Sequence, residues 1–559
     1  MINILASCFL VSFILISYGS LLLKFIYKKK NEKDNHFESG LFGIIFLSFI
    51  SLLFNFFIPI NIYFNNVILI IGVVYGALYI KINKKLIYSI LLSSLFSSLL
   101  LLLNNVNRPD AGLYHLPYIN ILNDHKIIIG LSNLHLRFAH ISIIQYVSAI
   151  FKNSILGANG ILIPLAFCGS FFILYLTNKL IDKLKNNKTD ISLNVLLFLI
   201  LIFSFYSLSN YSEYGNDVPA YIYFFYSIVI FLDKDAITKF SAENYNKILI
   251  LSIFTILNKI FFIFILIIPI IVFIYNQKII YNNKLKFIIP LFLIVAWFVK
   301  NVLISGCFIY PSNISCIKNL QWYNPIETQN ARISGEAWAK AWVDQKEPKI
   351  KEEEFNKNFN WVKTWSQKHL KKINEKFTPF IVFNILFVIF LIYPFKPYNK
   401  IKNPSNLLKK KNYKIIIIFT ISIIGSAFWF IKFPLYRYGA AYLACLVSAA
   451  STIIISYYIK RKINPIILKN IIFLSMLLFI FVNIKRVTTN YKNYYYNYPW
   501  PKIYSFSADN KVEKKIPVFN NEKIIYYISD AECMYGYSPC TGSNNKINYK
   551  EIFSYKVFY

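Results

Sequence analysis

The chain is dominated by apolar runs of about 18 or more residues, the length that reads as a bilayer-spanning helix. The first, residues 3–26, is followed at once by Lys28, Lys29 and Lys30. A basic cluster after the run, with no small-residue cleavage site beyond it, predicts an uncleaved anchor rather than a signal peptide. Further runs at 41–60, 65–81, 86–104, 157–177, 190–208, 218–232, 285–304, 378–395, 414–432, 438–457 and 465–484 predict more spans. Because these segments are apolar throughout rather than amphipathic, they predict an all-α polytopic membrane protein of about 12–14 transmembrane helices. Length therefore carries no count of soluble domains. The expected division is a membrane domain over residues 1–484 and an outward, periplasmic tail over 485–559.

Composition removes one rival class. The formal charge is +34, which invites a nucleic-acid partner, but the chain is 56% hydrophobic and 15% charged with a mean hydropathy of +0.48. Its lysines are spread through loops beside heavy Ile and Asn usage, and no basic stripe interleaved with aromatics occurs on a soluble element, so nucleic acid is excluded. The partner implied is the lipid bilayer.

Short basic loops set the orientation. Lys28 to Lys33, Lys84 with Lys85, Lys179 to Lys188, Lys278 to Lys286, Lys396 to Lys414 and Lys460 to Lys462 fall on one side of the alternation, and short basic loops stay cytoplasmic. The segments 105–156, 209–217, 305–377, 433–437 and the tail from 485 then face outward, as do both termini. Residues 247–276 are too long for one span and carry Asn258 and Lys259 near their middle. A charge there costs about 2.5–3.5 kcal/mol on insertion scales. The segment therefore reads as a hairpin that enters from the cytoplasm and turns at Lys259; the alternative is one tilted helix with a snorkelling lysine.

Cysteine usage agrees with this sidedness. Cys8, Cys168 and Cys445 stand alone in predicted spans, whereas Cys307 with Cys316 and Cys533 with Cys540 form local pairs on the outward side. Such pairs are candidate disulfides in an oxidising compartment.

The outward polar groups are concentrated in residues 105–151, which hold four of the six histidines. Pro109, Gly112 and Pro117 predict that Asp110 to His115 is a turn rather than a helix, placing Asp110 at the membrane edge near Arg108 and His115. A carboxylate there can remove a proton from an acceptor or ligate a divalent cation; as a plain loop aspartate it would do neither. Residues 118–129 and, after a break at Gly130, 133–151 predict two amphipathic helices on the outer membrane surface, with His135 and Arg137 ahead of the second apolar run. Glu213 and Asp217 offer further carboxylates, and Lys259 and Arg437 offer cations suited to phosphate oxygens. Arg437, between Tyr436 and Tyr438, also suits a simple interfacial anchor.

These features resemble a family. An acidic residue in the first large outward loop, surface helices in that loop, a hairpin with a lysine and a late outward arginine are similar to the integral-membrane GT-C glycosyltransferases. The segments Asp110-Ala-Gly-Leu-Tyr-His-Leu-Pro, Gly130-Leu-Ser-Asn-Leu-His-Leu-Arg-Phe, Lys300-Asn-Val-Leu-Ile-Ser-Gly-Cys-Phe-Ile-Tyr-Pro, Pro434-Leu-Tyr-Arg-Tyr-Gly and Ser538-Pro-Cys-Thr resemble more closely a group of uncharacterised bacterial membrane proteins. The GT-C resemblance implies a bacterial inner-membrane enzyme that moves a sugar from a polyprenyl-phosphate donor to a glycan or lipid acceptor in cell-envelope polysaccharide biosynthesis. It implies Asp110 as base with His115 beside it. Arg108, Tyr114, Arg137, Lys259 and Arg437 would hold substrate and phosphate, and Glu213 and Asp217 a divalent cation such as Mg or Mn. Two departures weigh against a direct carry-over: extra N-terminal spans precede Asp110, and no second acid adjoins it. A ligase or polymerase of lipid-linked polysaccharide, and a transporter without covalent chemistry, are the competing expectations. No phosphate-cradling glycine loop, metalloprotease helix or nucleophile elbow is present.

Overall fold

The structure, a computed structural model, describes residues 2–26, 35–104, 110–185, 191–209, 215, 217–233, 237–281, 287–392, 413–458, 465–494, 499–501, 515–520, 523–529, 532–542 and 547–559. Four helices open the chain: α1 (Ile2–Ile26), α2 (His36–Asn55), α3 (Ile62–Tyr79) and α4 (Lys84–Leu101). The asparagines between them act as N-caps. Asn35, Asn61 and Asn83 accept backbone N–H groups of the first turns of α2, α3 and α4, which satisfies donors that no helical carbonyl can reach. The first two helices cross at close range because a side chain at Gly19 would collide with the Ser39 carbonyl, and one at Gly43 with the Leu15 carbonyl. Small residues permit such backbone approach where lipid supplies no hydrophobic drive between helices.

The segment after α4 follows as α5 (Leu116–Asp124), α6 (Leu131–Leu134) and α7 (Ile144–Ile150), and then α8 (Ile163–Lys185), α9 (Ile191–Ser209), α10 (Asp217–Asp233), α11 (Ala242–Asn258), α12 (Ile267–Tyr281) and α13 (Ile288–Ser305) return to the bundle. A second long loop carries α14 (Pro325–Ala339), α15 (Glu352–Phe355) and α16 (Val362–Trp365). The bundle closes with α17 (Lys371–Ile392), α18 (Tyr413–Lys432), α19 (Tyr436–Tyr458) and α20 (Pro465–Tyr494). Among the described residues, eleven helical stretches are long and apolar enough to cross a membrane; α10 and α11, of 17 residues each, and the apolar part of α9, Leu193–Leu208, are shorter. The protein is a helical, multi-pass membrane protein.

One end of the bundle gathers the loops. Backbone hydrogen bonds join Ile60 to Leu122, Ile127 to Asn55, Gly130 to Leu303, Ile143 to Leu257 and Leu103 to Pro499. The ends of α2, α4, α11 and α13 thus meet the 110–156 segment and the start of the tail. Asn65 donates to the carbonyls of Ile60, Ala149 and Lys152, and Asn123 donates to the first two of these. Two buried amides therefore tie α3 and α5 to the C-terminal end of α7.

Three expectations are corrected here. Asp110 to His115 is not an irregular turn: Asp110 leads a π-helical turn, Ala111–His115, that runs straight into α5. Pro117 has no N–H to donate to the Gly112 carbonyl as the i→i+5 pattern of the turn would require, and Met534 N–H occupies that carbonyl instead. Residues 133–151 do not form one surface helix but break into α6, a 3-10 turn (Leu136–His140) and α7. Nor is α5 a surface helix, since Leu116 through Asn123 are all buried. The tail covers it.

That tail is β rather than α. Strands β1 (Lys515–Asn520), β2 (Lys523–Ser529) and β3 (Cys540–Thr541) form a sheet in which β1 and β2 run antiparallel and β2 and β3 parallel, and β4 (Tyr549–Ile552) and β5 (Tyr555–Phe558) form a separate antiparallel pair. The β2 sequence, rich in Ile and Tyr, suits a pleated, half-buried surface. Met534 N–H donates to the Gly112 carbonyl at 2.8 Å, Thr541 to the Leu134 carbonyl at 2.8 Å, and Tyr535 to Asn123 at 3.0 Å. Val557 bridges Ile129 in parallel, and Gly130, at φ +66°, passes so close to the Phe558 carbonyl that a side chain could not fit.

Candidate functional site

Four separate helix ends bring charge together at the loop end. Asp110 stands at the start of its π-helical turn, Asp217 opens α10, Lys259 lies between α11 and α12, and Arg437 is the second residue of α19. Lys259 is extended, with φ −157° and ψ 109°, and a 3-10 turn over Ile260–Leu266 follows it. The long apolar segment is therefore a broken hairpin rather than one tilted helix. The positions are electrostatically sensible: the two aspartates occupy helix N-termini, and the Lys259 ammonium follows a helix C-terminus.

The four charges pair across the bundle. Arg437 Nη1 donates to Asp110 Oδ2 at 2.6 Å, and Arg437 Nε lies 3.9 Å from Asp217 Oδ2. Lys259 Nζ bonds Asp217 Oδ1 and sits 3.6 Å from the centre of the Tyr438 ring. Trp338, from α14, lies 5.8 Å from the Arg437 guanidinium. Arg437 is held at the backbone as well. Tyr221 donates to its carbonyl, and the preceding Pro434-Leu435 turn is bonded by Trp365 Nε1 and Trp429 Nε1, each at 2.7 Å. The Lys259–Asp217 pair is nearly dry, whereas the Asp110 and Arg437 side chains keep 33% and 31% of their surface exposed. Asp110 is therefore the carboxylate within reach of a substrate.

Burial works to raise the Asp110 carboxyl pKa, but the Arg437 guanidinium, and after it His115 and Arg137, outweigh burial and hold the group below the ordinary carboxylate range. His115, only 5% exposed, receives a 2.6 Å hydrogen bond from Gln145 Nε2 at its Nδ1. With Nδ1 accepting, the ring proton belongs on Nε2. Burial is the largest influence on this imidazole and pulls its pKa down to about 4, although Asp110 and Asp217 oppose it. His115 is neutral at pH 7. Tyr114 packs against it at a tilt of 48° with ring centroids 4.3 Å apart, and burial drives the Tyr114 phenol well above its usual value.

Asp110, His115, Tyr114, Asp217, Lys259 and Arg437 are thus one cluster. Arg137 stands at its margin, within electrostatic reach of Asp110 and Tyr114 but not in contact with either. Arg108 and Glu213 lie outside the described residues. The divalent-cation expectation places the ion on Glu213 and Asp217; Glu213 lies outside the described residues, and Asp217 is paired with Lys259 and Arg437. Among the described residues no group of three His, Cys, Asp or Glu is placed to hold a metal ion. Cys307 is bonded to Cys316 and Cys533 to Cys540. The second bridge ends in β3, whose Thr541 donates to the Leu134 carbonyl of α6. A hollow of about 570 Å³ lined by Asn313, Ile314, Cys316, Lys318, Tyr323 and Pro325 lies on the loop after α13. It holds no carboxylate or histidine and is not part of the cluster.

Sequence reading gave no site role to Gln145, Trp338, Tyr438 or Lys300. Only Lys300 carried a signal, as a charge inside an apolar run. It is 0% exposed, and among the described residues its Nζ has no hydrogen-bond partner. The ammonium lies 3.7 Å from the centre of the Trp297 ring. That contact is worth about 2 kcal/mol when desolvated, short of the several kcal/mol that burying an unpaired ion costs.

Fold and site define a multi-pass helical membrane protein with a partly exposed ion-pair cluster at the loop end of its bundle. Residues 1–444 match the family described as domain of unknown function DUF8201, and the chain belongs to that family. The match includes every member of the cluster and stops within α19, before the β-tail. No curated protein and no solved structure matches the chain.

Proposed function

We propose that this protein is a GT-C-like inverting glycosyltransferase of a bacterial inner membrane, its loop end outward. It would transfer a sugar from a polyprenyl-phosphate donor to a glycan or lipid acceptor. The observation that carries the reading is the Asp110–Arg437 pair: a partly exposed carboxylate and a guanidinium, 2.6 Å apart at the edge of an apolar bundle. The acceptor hydroxyl attacks the anomeric carbon, its proton passes to Asp110, and the bond to the carrier phosphate breaks. Arg437, and Lys259 behind it, stabilise the charge on the leaving phosphate.

The pairing gives the reaction an order. While Arg437 holds Asp110, the carboxylate is a weak base. A donor phosphate competes for the guanidinium, relieves that hold and raises the basicity of Asp110 where the acceptor arrives. The test is Asp110→Asn in cells: transfer to glycan is lost with protein abundance unchanged, and normal glycan would remove the reading.

A second reading has one observation in its favour. Asp110 so firmly paired suits a residue that only positions Arg437, as a ligase or polymerase of lipid-linked polysaccharide would need. Loss of a polymerase leaves single repeat units, whereas loss of a transferase leaves a truncated unit, so glycan length separates them.

A further inference from the structure

The long loop after α13 leaves an aromatic surface open beside the Asp110–Arg437 pair. Thr328, Ala331, Gly335 and Trp338 recur at three- and four-residue spacings along α14 and so share one face of it. The first half of that face is covered: Thr328 and Ala331 are buried, and Ala331 packs with Cys307 and Tyr310 against Leu136 and Ala139. The second half is open. A side chain built at Gly335 would meet nothing within 4 Å. Trp338 is 42% exposed, and its ring lies 5.8 Å from the Arg437 guanidinium that donates to Asp110. Residues three apart on a helix are neighbours, so the space left by Gly335 adjoins the indole.

Neither residue serves the fold. No close approach demands glycine at 335, and glycine inside a helix weakens it relative to alanine. Trp322, Trp342, Trp365 and Trp429 each donate Nε1 to a backbone carbonyl, whereas among the described residues Trp338 Nε1 has no hydrogen-bond partner. Yet α14 itself is firmly held. Lys340 bonds Glu336 at 2.6 Å and the Asn356 carbonyl at 3.3 Å, and Lys432, at the end of α18, reaches Glu336 at 3.3 Å. The indole is thus a fixed platform with an unengaged donor.

A flat apolar surface with a donor at its rim, set against a guanidinium and a carboxylate, complements a pyranose ring. The C–H face of the sugar covers the indole, and its hydroxyls take the N–H and the charged groups. We propose that Trp338 and the space at Gly335 form a saccharide-binding subsite, in which a sugar ring lies on the indole with its hydroxyls towards Arg437 and Asp110. The subsite rests on the glycosyltransferase reading for which sugar lies there. Arg437 takes the donor phosphate in that reading, so the ring beside it is the sugar attached to that phosphate.

The experiment requires no transfer. It measures retention of three probes by the purified full-length protein in nanodiscs: glycosylated polyprenyl phosphates from the native host's membranes, bare polyprenyl phosphate, and soluble oligosaccharide from its envelope polysaccharide. The expected result is that the glycosylated lipid is retained over the bare one at least about tenfold, that Trp338→Ala and Gly335→Leu each abolish this preference, and that Trp338→Phe keeps most of it. Leucine favours a helix more than glycine does, so Gly335→Leu should melt no lower than the unaltered protein and its lost binding is not lost fold. An unaltered preference in either variant, or no saccharide retained over the bare lipid by the unaltered protein, overturns the subsite. Oligosaccharide retained through Trp338, without any preference for the glycosylated lipid, overturns the donor assignment in favour of an acceptor glycan. Normal glycan in Asp110→Asn cells, with Trp338-dependent retention intact, removes the transferase reading and leaves the subsite standing. Should Trp338→Ala fail to fold, Gly335→Leu decides by the same measure.

Discussion

The bundle carries an ion-pair network at each end, and the two are built differently. At the end opposite the loops, Lys247 bonds Glu38 at 2.7 Å, Tyr226 donates to the same carboxylate at 2.8 Å, and Lys179 and Lys183 hold Asp233 at 3.1 and 3.3 Å. Those groups sit on regular helices: α2, α8, α10 and α11. At the loop end the charges stand on a π-helical turn, a broken hairpin and helix starts, and one pair is a third exposed. A closed network on regular backbone fastens helices together. An open one on irregular backbone leaves a charge to meet a substrate.

The largest expected effect falls at the loop end. Asp110→Asn should lower transfer by roughly 10²–10⁴-fold, the range of a lost general base, with no change in melting temperature. Unaltered glycan in that variant would make the two networks alike. Next, Lys247→Met should cost about 3–5 kcal/mol of stability by leaving Glu38 buried and unpaired, read as lost protein in the membrane. Adding Glu38→Gln should recover most of it, and the surviving protein should transfer at its normal rate. If folded Lys247→Met protein is inactive, the opposite end is more than a fastening.

A smaller effect is expected from the tail. Replacing Cys533 and Cys540 by Ser removes a short closed loop and should cost about 2 kcal/mol. Protease cleavage within 515–559 should speed up while the bundle stays intact. The last concerns pH. His115 has its pKa pulled down to about 4 by burial, so between roughly 6.5 and 4 the unfolded chain binds a proton that the folded one refuses. Stability of the loop end should fall by up to ~1.4 kcal/mol per pH unit as pH drops through that window, measured by hydrogen exchange of residues 111–124. His115→Asn should flatten the slope; an unchanged slope would mean that other groups set it.

Much of this protein was legible from residues alone. Apolar runs and short basic loops state where helices cross and which loops share a side, because both depend on local solvation. Lys259 announced a break for the same reason, since a charge cannot stay in the middle of a span. Cys307 with Cys316 and Cys533 with Cys540 were legible because each pair is close in sequence. What the tertiary structure alone decided is which charges meet. Asp217 pairs with Lys259 and Arg437, Arg437 reaches Asp110 across 327 residues of chain, and Gln145 sets the tautomer of His115. The placement of the β-tail over α5, which turned an expected surface helix into a buried one, was equally invisible. Such contacts follow from how helices pack, through close approaches like that of Gly19 to Ser39, and no local pattern of hydropathy or charge encodes them.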